Sequence, residues 1–191
     1  MKKTIFTTPV VNDFFRAIAV LVLRFSAWKL VGTLPEKRRF ILIGAPHTSN
    51  WDFALMLLAA FSMRLDIHWM GKDALFPKPF AGFVKWMGGI AIDRSKSNGT
   101  VAQTIEQFKL HDDWIIGIPP EGTRKKVKEW KTGFYHIAVG ANVPIVLGFI
   151  DSSRKEFGFG PLFVPSGNLD EDMLKIRGFY ADKIGINPEN T

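Results

Sequence analysis

Short apolar runs recur along the chain, each followed by polar residues, and they constrain the fold more than any other feature. Four of them have the length and composition of buried strands: FILI at 40–43, IHWM at 67–70, WIIGI at 114–118 and VPIVLGFI at 143–150. Segments between them, including 53–61 and 100–111, have the apolar content or spacing of helices. Strands that alternate with helices predict an α/β fold with a largely parallel central sheet flanked by helices.

The N-terminal part of the chain predicts an additional amphipathic helix. The 191 residues suffice for a single domain, which we divide into residues 1–34, with a lead-in and this helix, and a core over residues 35–191. The helix is predicted over residues 13–31, where apolar residues recur at helical spacing between arginines. Such a stripe suits either a membrane interface or the domain's own core, and both interpretations stay open. A second apolar group, Phe80, Phe83, Val84 and Trp86, could be a second membrane contact or core, and we favour the core.

Composition narrows the classes of partner. A formal charge of +7 together with 17 Phe and 6 Trp suits an anionic membrane surface or a phosphate-bearing substrate, and no nucleic-acid recognition motif occurs. The chain has no cysteine, which excludes a disulfide framework, and no metal site is predicted. The apolar N-terminal run at 17–23 falls well short of the roughly 20 residues that a membrane-spanning helix needs. We therefore expect a peripheral membrane protein at the cytoplasmic face.

A histidine and an aspartate stand at the junction between the first apolar strand and the helix that follows it. Five residues on one helix correspond to a rotation of about 140°, so His47 and Asp52 can meet only if His47 precedes the helix and Asp52 lies in its first turn. The residues between them are good N-caps, which allows this arrangement. We predict that Asp52 accepts a hydrogen bond from one imidazole nitrogen, so that His47 acts as a general base through the other.

Two further polar clusters follow predicted strands. Arg94 comes after GGIAID, and Glu121, Gly122, Thr123 and Arg124 come after the strand at 114–118. Parallel α/β topology would bring these strand ends to one edge of the sheet. Arginines bind phosphate oxygens in bidentate fashion, a glycine allows close approach of the backbone to a ligand, and Glu121 could hold an arginine or bind a substrate hydroxyl.

Four motifs carry a resemblance to a known family. HTSNWD (47–52) resembles the H-x-x-x-x-D motif of the glycerophospholipid acyltransferases, and the other three family motifs follow in order: GGIAIDR (88–94), PEGTR (120–124) and VPIV (143–146). The ending of the second motif in Ile-Asp-Arg is similar to the 1-acylglycerol-3-phosphate acyltransferase branch. Ser49 lies outside any G-x-S-x-G elbow, which argues against a serine nucleophile.

The resemblance implies an O-acyltransferase of phospholipid biosynthesis. It would move a fatty acyl group from a CoA or acyl-carrier-protein thioester to a lysophospholipid hydroxyl, with 1-acylglycerol-3-phosphate as the favoured acceptor, phosphatidate as the product and no bound cofactor. His47 would deprotonate the hydroxyl, Asp52 would orient His47, and an apolar tunnel would take the acyl chain. The residues implied to bind the polar head of the acceptor are Arg94, Glu121, Gly122, Thr123 and Arg124.

Several positions depart from the family pattern and keep other functions open. Pro119 replaces the usual Phe before PEGTR, Lys125 and Lys126 replace a small residue, and Leu147-Gly148 follows the fourth motif in place of a second proline. These departures bear on the acceptor, which could be another lyso-lipid. Two alternatives use the same features differently: a peripheral protein that binds lipid headgroups without catalysis, and a thioesterase or lipase that uses the base on water.

Overall fold

The central feature of the computed structural model, which describes residues 3–92 and 97–191, is one mixed sheet. In this part of the chain the sheet has seven strands in the order β1-β7-β6-β2-β5-β3-β4, and every neighbouring pair is parallel except β6 and β7. The strands are β1 Lys29–Val31, β2 Arg39–Ala45, β3 Ile67–Lys72, β4 Gly89–Ile92, β5 Trp114–Ile118, β6 Ile145–Asp151 and β7 Glu156–Phe163. The predicted α/β fold with a largely parallel sheet is confirmed.

Helices cover both faces of this sheet. They are α1 Pro9–Phe25, α2 Trp51–Ser62, α3 Ala81–Trp86, α4 Ser97–Leu110, α5 Gly133–Ala141 and α6 Leu169–Tyr180. Successive side chains of a strand point to opposite faces, and β2 shows the result. Phe40 and Leu42 join a core with α1 and α2, whereas Ile41 and Ile43 join a second core with α4, α5 and α6. Because both faces are covered, the central strands are apolar without alternation.

The N-terminal helix is real, but its predicted bounds are wrong. It spans Pro9–Phe25 instead of 13–31, and the backbone at Ser26 is already extended. Lys29–Val31 forms β1, which pairs with β7 in parallel register. Pairing with a distant strand outweighs the local helical spacing, and β1 therefore joins the sheet ahead of the predicted start of the core at residue 35.

The assignment of the 80–86 segment to the core is wrong for two of its residues. Phe80 and Phe83 are exposed, while Val84 and Trp86 are partly buried. The physical reason is position: the short helix α3 packs at β4, the last strand in the described order of the sheet. Its outer side chains therefore have no neighbouring layer to pack against within the described residues.

None of the helices described is both long enough and apolar enough to cross a bilayer.

Candidate active site

The loop between β2 and α2 brings His47 and Asp52 together. β2 ends at Ala45 and α2 begins at Trp51, so His47 precedes the helix and Asp52 lies in its first turn. His47 Nδ1 lies 2.9 Å from Asp52 Oδ2. The Asp52 side chain is buried, with 6% exposed, whereas 27% of the His47 side chain is exposed. The pair has the geometry that its spacing predicted.

The Asp52 carboxylate also holds the backbone of this loop. Its Oδ2 accepts hydrogen bonds from the amides of Thr48 at 2.8 Å and Ser49 at 2.9 Å. These two hydrogen bonds tie the loop to the first turn of α2. Because His47 Nδ1 faces this carboxylate at 2.9 Å, Nε2 is the ring nitrogen that can take a proton from a substrate.

Glu121 supports His47 from the neighbouring strand. It lies three residues beyond the end of β5, and its Oε2 accepts a hydrogen bond from the His47 backbone amide at 2.8 Å. Burial raises the pKa of Glu121, and the hydrogen bond from His47 opposes that rise. Sequence analysis offered an arginine or a substrate hydroxyl as the partner of Glu121, and the observed contact with the His47 backbone is a role that it did not indicate.

The remaining residues of the third motif form a turn beside this contact. Gly122 has a φ of +66°, and its amide donates to Pro119 O at 3.1 Å. A positive φ favours glycine, which explains this residue at the turn. The Thr123 side chain is exposed, and its hydroxyl accepts from the Lys125 amide. Arg124 is exposed and lines a polar pocket beside the loop that carries His47. The fifth predicted residue, Arg94, lies outside the described residues.

An apolar cavity of about 260 Å³ opens at the His47–Asp52 pair. Its walls come from α2 and from five strands of the sheet, and they include Leu42, Leu55, Met56, Ala59, Trp69, Ile118 and Phe159. Four glycines, Gly44, Gly117, Gly148 and Gly158, line the cavity from β2, β5, β6 and β7, and at Gly44 a Cβ would meet no atom within 4 Å. A cavity of this kind can hold an apolar chain next to the histidine.

A polar pocket of about 370 Å³ lies beside the same loop. It is lined by Thr48, Ser49, Asn50, Trp51, Arg124, Asn187 and Asn190. The loop and the start of α2 thus contribute both to an apolar cavity and to a polar pocket that contains an arginine, an arrangement that matches an amphiphilic, anionic ligand. Sequence analysis missed Asn187 and Asn190, because they carry no motif and lie more than a hundred residues from the loop.

Within residues 3–92 and 97–191, no three His, Asp or Glu residues group in a way that could hold a metal ion.

Several curated proteins similar to this chain are named 1-acyl-sn-glycerol-3-phosphate acyltransferase. The chain is 34% identical over 111 residues to 1-acyl-sn-glycerol-3-phosphate acyltransferase of Escherichia coli, a match that covers 53% of this chain and 43% of the relative. It is 28% identical over 129 residues to the alpha form of the human enzyme of that name, covering 64% of this chain and 44% of the relative. The match thus spans less than half the length of these curated relatives.

A solved structure shares the fold. The crystal structure of the 1-acyl-sn-glycerophosphate acyltransferase PlsC from Thermotoga maritima superposes with a TM-score of 0.63 at 20% identity. The superposition covers 94% of this chain and 80% of PlsC. The model of the family described as Acyltransferase matches residues 28–147, which is more than half of the chain and includes the His47–Asp52 pair and Arg124. The chain therefore belongs to the acyltransferase family.

Proposed function

We propose that this protein transfers a fatty acyl group from a thioester donor to a hydroxyl of a lysophospholipid. The observation that carries the proposal is that the His47–Asp52 pair lines an apolar cavity, while residues 48–51 between them line a polar pocket that also contains Arg124. A lysophospholipid and an acyl thioester both combine an apolar chain with a phosphate-bearing polar part. The two compartments therefore suit these substrates better than they suit a small polar metabolite.

The chemistry follows from the two nitrogens of His47. Nε2 takes the proton of the acceptor hydroxyl while Asp52 stabilises the imidazolium through Nδ1. The alkoxide oxygen attacks the thioester carbonyl carbon, and an ester C–O bond forms. The tetrahedral intermediate then collapses, the C–S bond breaks, and the thiolate sulfur takes the proton from His47. The reaction needs no acyl-enzyme intermediate.

The favoured acceptor is 1-acylglycerol-3-phosphate, which would give phosphatidate. The names of the curated relatives support this acceptor, and Arg124 offers a bidentate ligand for its phosphate. The donor is an acyl-CoA or an acyl-carrier protein, and no other cofactor enters the reaction. The activity would place the protein in phospholipid biosynthesis.

The test uses purified protein, a labelled acyl-CoA or acyl-carrier-protein donor, and a panel of lysophospholipids. Wild-type protein should form a diacyl product, and His47→Ala and Asp52→Asn should reduce the rate by at least about 100-fold while lipid binding is retained. Free fatty acid released without an acceptor would favour the hydrolase. Vesicle binding without turnover by any donor would favour the non-catalytic lipid-binding protein.

We further propose that α1 holds the protein on an anionic membrane at its cytoplasmic face. One side of α1 packs against the core, where the rings of Phe15 and Phe61 stack at 5.0 Å. The apolar residues Phe14, Ile18, Leu21 and Phe25 lie on the other side of α1, with 61% of Phe14 and 79% of Phe25 exposed. Basic residues Arg16 and Arg24 on the same helix are exposed as well. An uncovered apolar stripe with basic residues suits the headgroup region of an anionic leaflet.

Sedimentation with vesicles that contain anionic lipid tests this surface. The double substitution of Phe14→Ser and Phe25→Ser should lower the partition coefficient by about 10-fold or more, since each loses an apolar side chain from the lipid phase. Leu174→Ser with Val164→Ser is the matched control, because both residues are exposed elsewhere on the molecule. Equal losses in the two double variants would mean that α1 is not the contact.

A further inference from the structure

The C-terminal segment, residues 185–191, packs against the loop that carries His47. The Asn187 backbone amide donates to Thr48 Oγ1 at 3.0 Å, and Asn187 Nδ2 donates to Thr48 O at 2.8 Å. The two residues are 139 positions apart in sequence, and Thr48 is buried. Asn187 therefore contacts the residue directly after His47 through two separate hydrogen bonds.

These bonds complete a network around the loop. Thr48 donates its amide to Asp52 Oδ2 and accepts from Asn187 at both its hydroxyl and its carbonyl. His47 is held by Glu121 at its amide and by Asp52 at its ring. Residues 46–49 belong to no helix or strand, so these hydrogen bonds fix the loop in place of regular secondary structure.

The segment is itself anchored to the sheet. Ser152, directly after β6, donates its amide to Ile184 O at 2.7 Å and its hydroxyl to Gly185 O at 2.6 Å. The backbone of Gly185 then passes so close to Thr48 that a Cβ at this position would lie 2.5 Å from Thr48 Cγ2. Asn187 consequently reaches the loop from a fixed support.

We propose that Asn187 is a positioning residue, which holds Thr48 so that His47 Nε2 faces the reacting hydroxyl. The inference rests on the proposed acyl transfer and extends it to a residue beyond the segment matched by the family, which ends at residue 147. A small misplacement of a general base lowers the rate of the chemical step while substrate binding is largely kept.

The first measurement is steady-state kinetics of Asn187→Ala and Asn187→Asp with the full chain. The aspartate keeps the shape of asparagine but cannot donate to Thr48 O. Both variants should lower kcat by about 10- to 100-fold and leave the KM for the acceptor within about threefold of wild type. Glu189→Ala, an exposed residue of the same segment, is the matched control and should retain wild-type kcat.

A second pair of variants tests the contact from the loop side. Thr48→Val removes the hydroxyl that accepts from Asn187 and should lower kcat as the Asn187 variants do. Thr48→Ser keeps a hydroxyl and should retain the wild-type kcat. A rise in the acceptor KM with unchanged kcat would make Asn187 a binding residue and overturn the proposal. The proposal would also be overturned if the lower kcat of a variant were explained entirely by its larger unfolded fraction, as measured by melting curves.

A third readout does not depend on turnover. The imidazole proton on His47 Nδ1, hydrogen-bonded to Asp52, should give a downfield proton NMR signal in wild type and in Glu189→Ala. This signal should broaden or shift in Asn187→Ala, and an unchanged signal would overturn the positioning role. If the signal changes in Asn187→Ala but wild-type protein transfers no acyl group, the proposed function is contradicted and the positioning of His47 by Asn187 stays supported.

Discussion

The His47 backbone amide donates to the Glu121 carboxylate at 2.8 Å across 74 residues of sequence. His47 follows β2 and Glu121 follows β5, and these two strands are neighbours in parallel register. The contact therefore ties the third sequence motif to the first at the carboxyl edge of the sheet. Glu121 contacts His47 through its backbone amide, so we expect the acceptor oxygen of Glu121 to matter more than its charge.

A neutral residue that keeps an acceptor oxygen should replace Glu121 with little loss of kcat. Because the side-chain oxygen of glutamine can also accept from the His47 amide, Glu121→Gln should retain kcat within about 10-fold, whereas Glu121→Ala should lose about 100-fold. Kinetics of the two variants under saturating donor and acceptor would measure this. Equal losses in the two variants would show that the charge of Glu121, and not its acceptor oxygen, is what matters.

The same substitution predicts a pH dependence of stability. Burial raises the pKa of Glu121, so the folded protein binds this proton more tightly than the unfolded chain does. Wild type should lose stability relative to Glu121→Gln as the pH rises from about 4.3, the ordinary pKa of glutamate, through the raised value. Melting temperatures of both proteins at pH 4 and pH 8 would test this. The prediction would be contradicted if the melting temperature of wild type, relative to that of Glu121→Gln, stayed constant or increased from pH 4 to pH 8.

Filling the apolar cavity should change the selectivity for the acyl chain. A Cβ on Gly44 would meet no atom within 4 Å, and Gly44 lines the cavity from β2. Gly44→Leu should therefore fold and lower kcat/KM by about 10-fold or more for long-chain donors, but not for short-chain ones, because the side chain takes up space that only a long chain needs. Gly178→Leu, at an exposed and equally open position on α6, is the control. Equal losses for all chain lengths would argue against an acyl site in this cavity.

Arg124 should contribute to binding of the phosphate of the acceptor. A hydrogen bond to a charged group contributes about 1.5–3 kcal/mol, so Arg124→Ala should raise the acceptor KM by roughly 10- to 100-fold with a smaller effect on kcat. Lys125→Ala removes an equal charge from the adjacent, exposed position and serves as the control. Similar effects in both variants would indicate a general electrostatic attraction in place of a specific phosphate ligand.

A buried carboxylate on α6 predicts loss of stability in acid. Burial raises the pKa of Asp172, but hydrogen bonds from Ser166 and from Tyr135 Oη outweigh burial and hold its pKa below the ordinary value. The contribution of the Asp172 carboxylate to the free energy of unfolding is fully present above about pH 4 and disappears as the pH falls through the lowered pKa. Asp172→Asn should destabilise the protein by about 1–3 kcal/mol at pH 7 and progressively less towards pH 2.

Urea unfolding at pH 7 and at pH 2–3 would measure this difference. Asp170→Asn, in the same first turn of α6 but exposed at the surface, is the control and should change stability little. A destabilisation by Asp172→Asn that stays constant over this pH range would mean that the ionised carboxylate is not what stabilises the fold.

Local patterns predicted much of this molecule. The strand predicted at 114–118 has its predicted bounds in β5, and the segment 53–61, predicted as a helix, lies within α2. The approach of His47 to Asp52 was also predictable, because five residues across a strand-to-helix junction allow one geometry that joins them. Pattern reasoning failed at Lys29–Val31, where helical spacing continued but pairing with β7 decided the structure.

The sequence by itself determined the alternation of strands and helices, from which the parallel sheet was expected, and the approach of His47 to Asp52, because both patterns involve residues close together in the chain. Only the tertiary structure decided that Glu121 holds the His47 amide, that Asn187 holds Thr48, and that residues of five strands and α2 surround one apolar cavity. These features join residues from distant parts of the chain. Their free energy is gained only when the sheet has formed, so no local pattern records them.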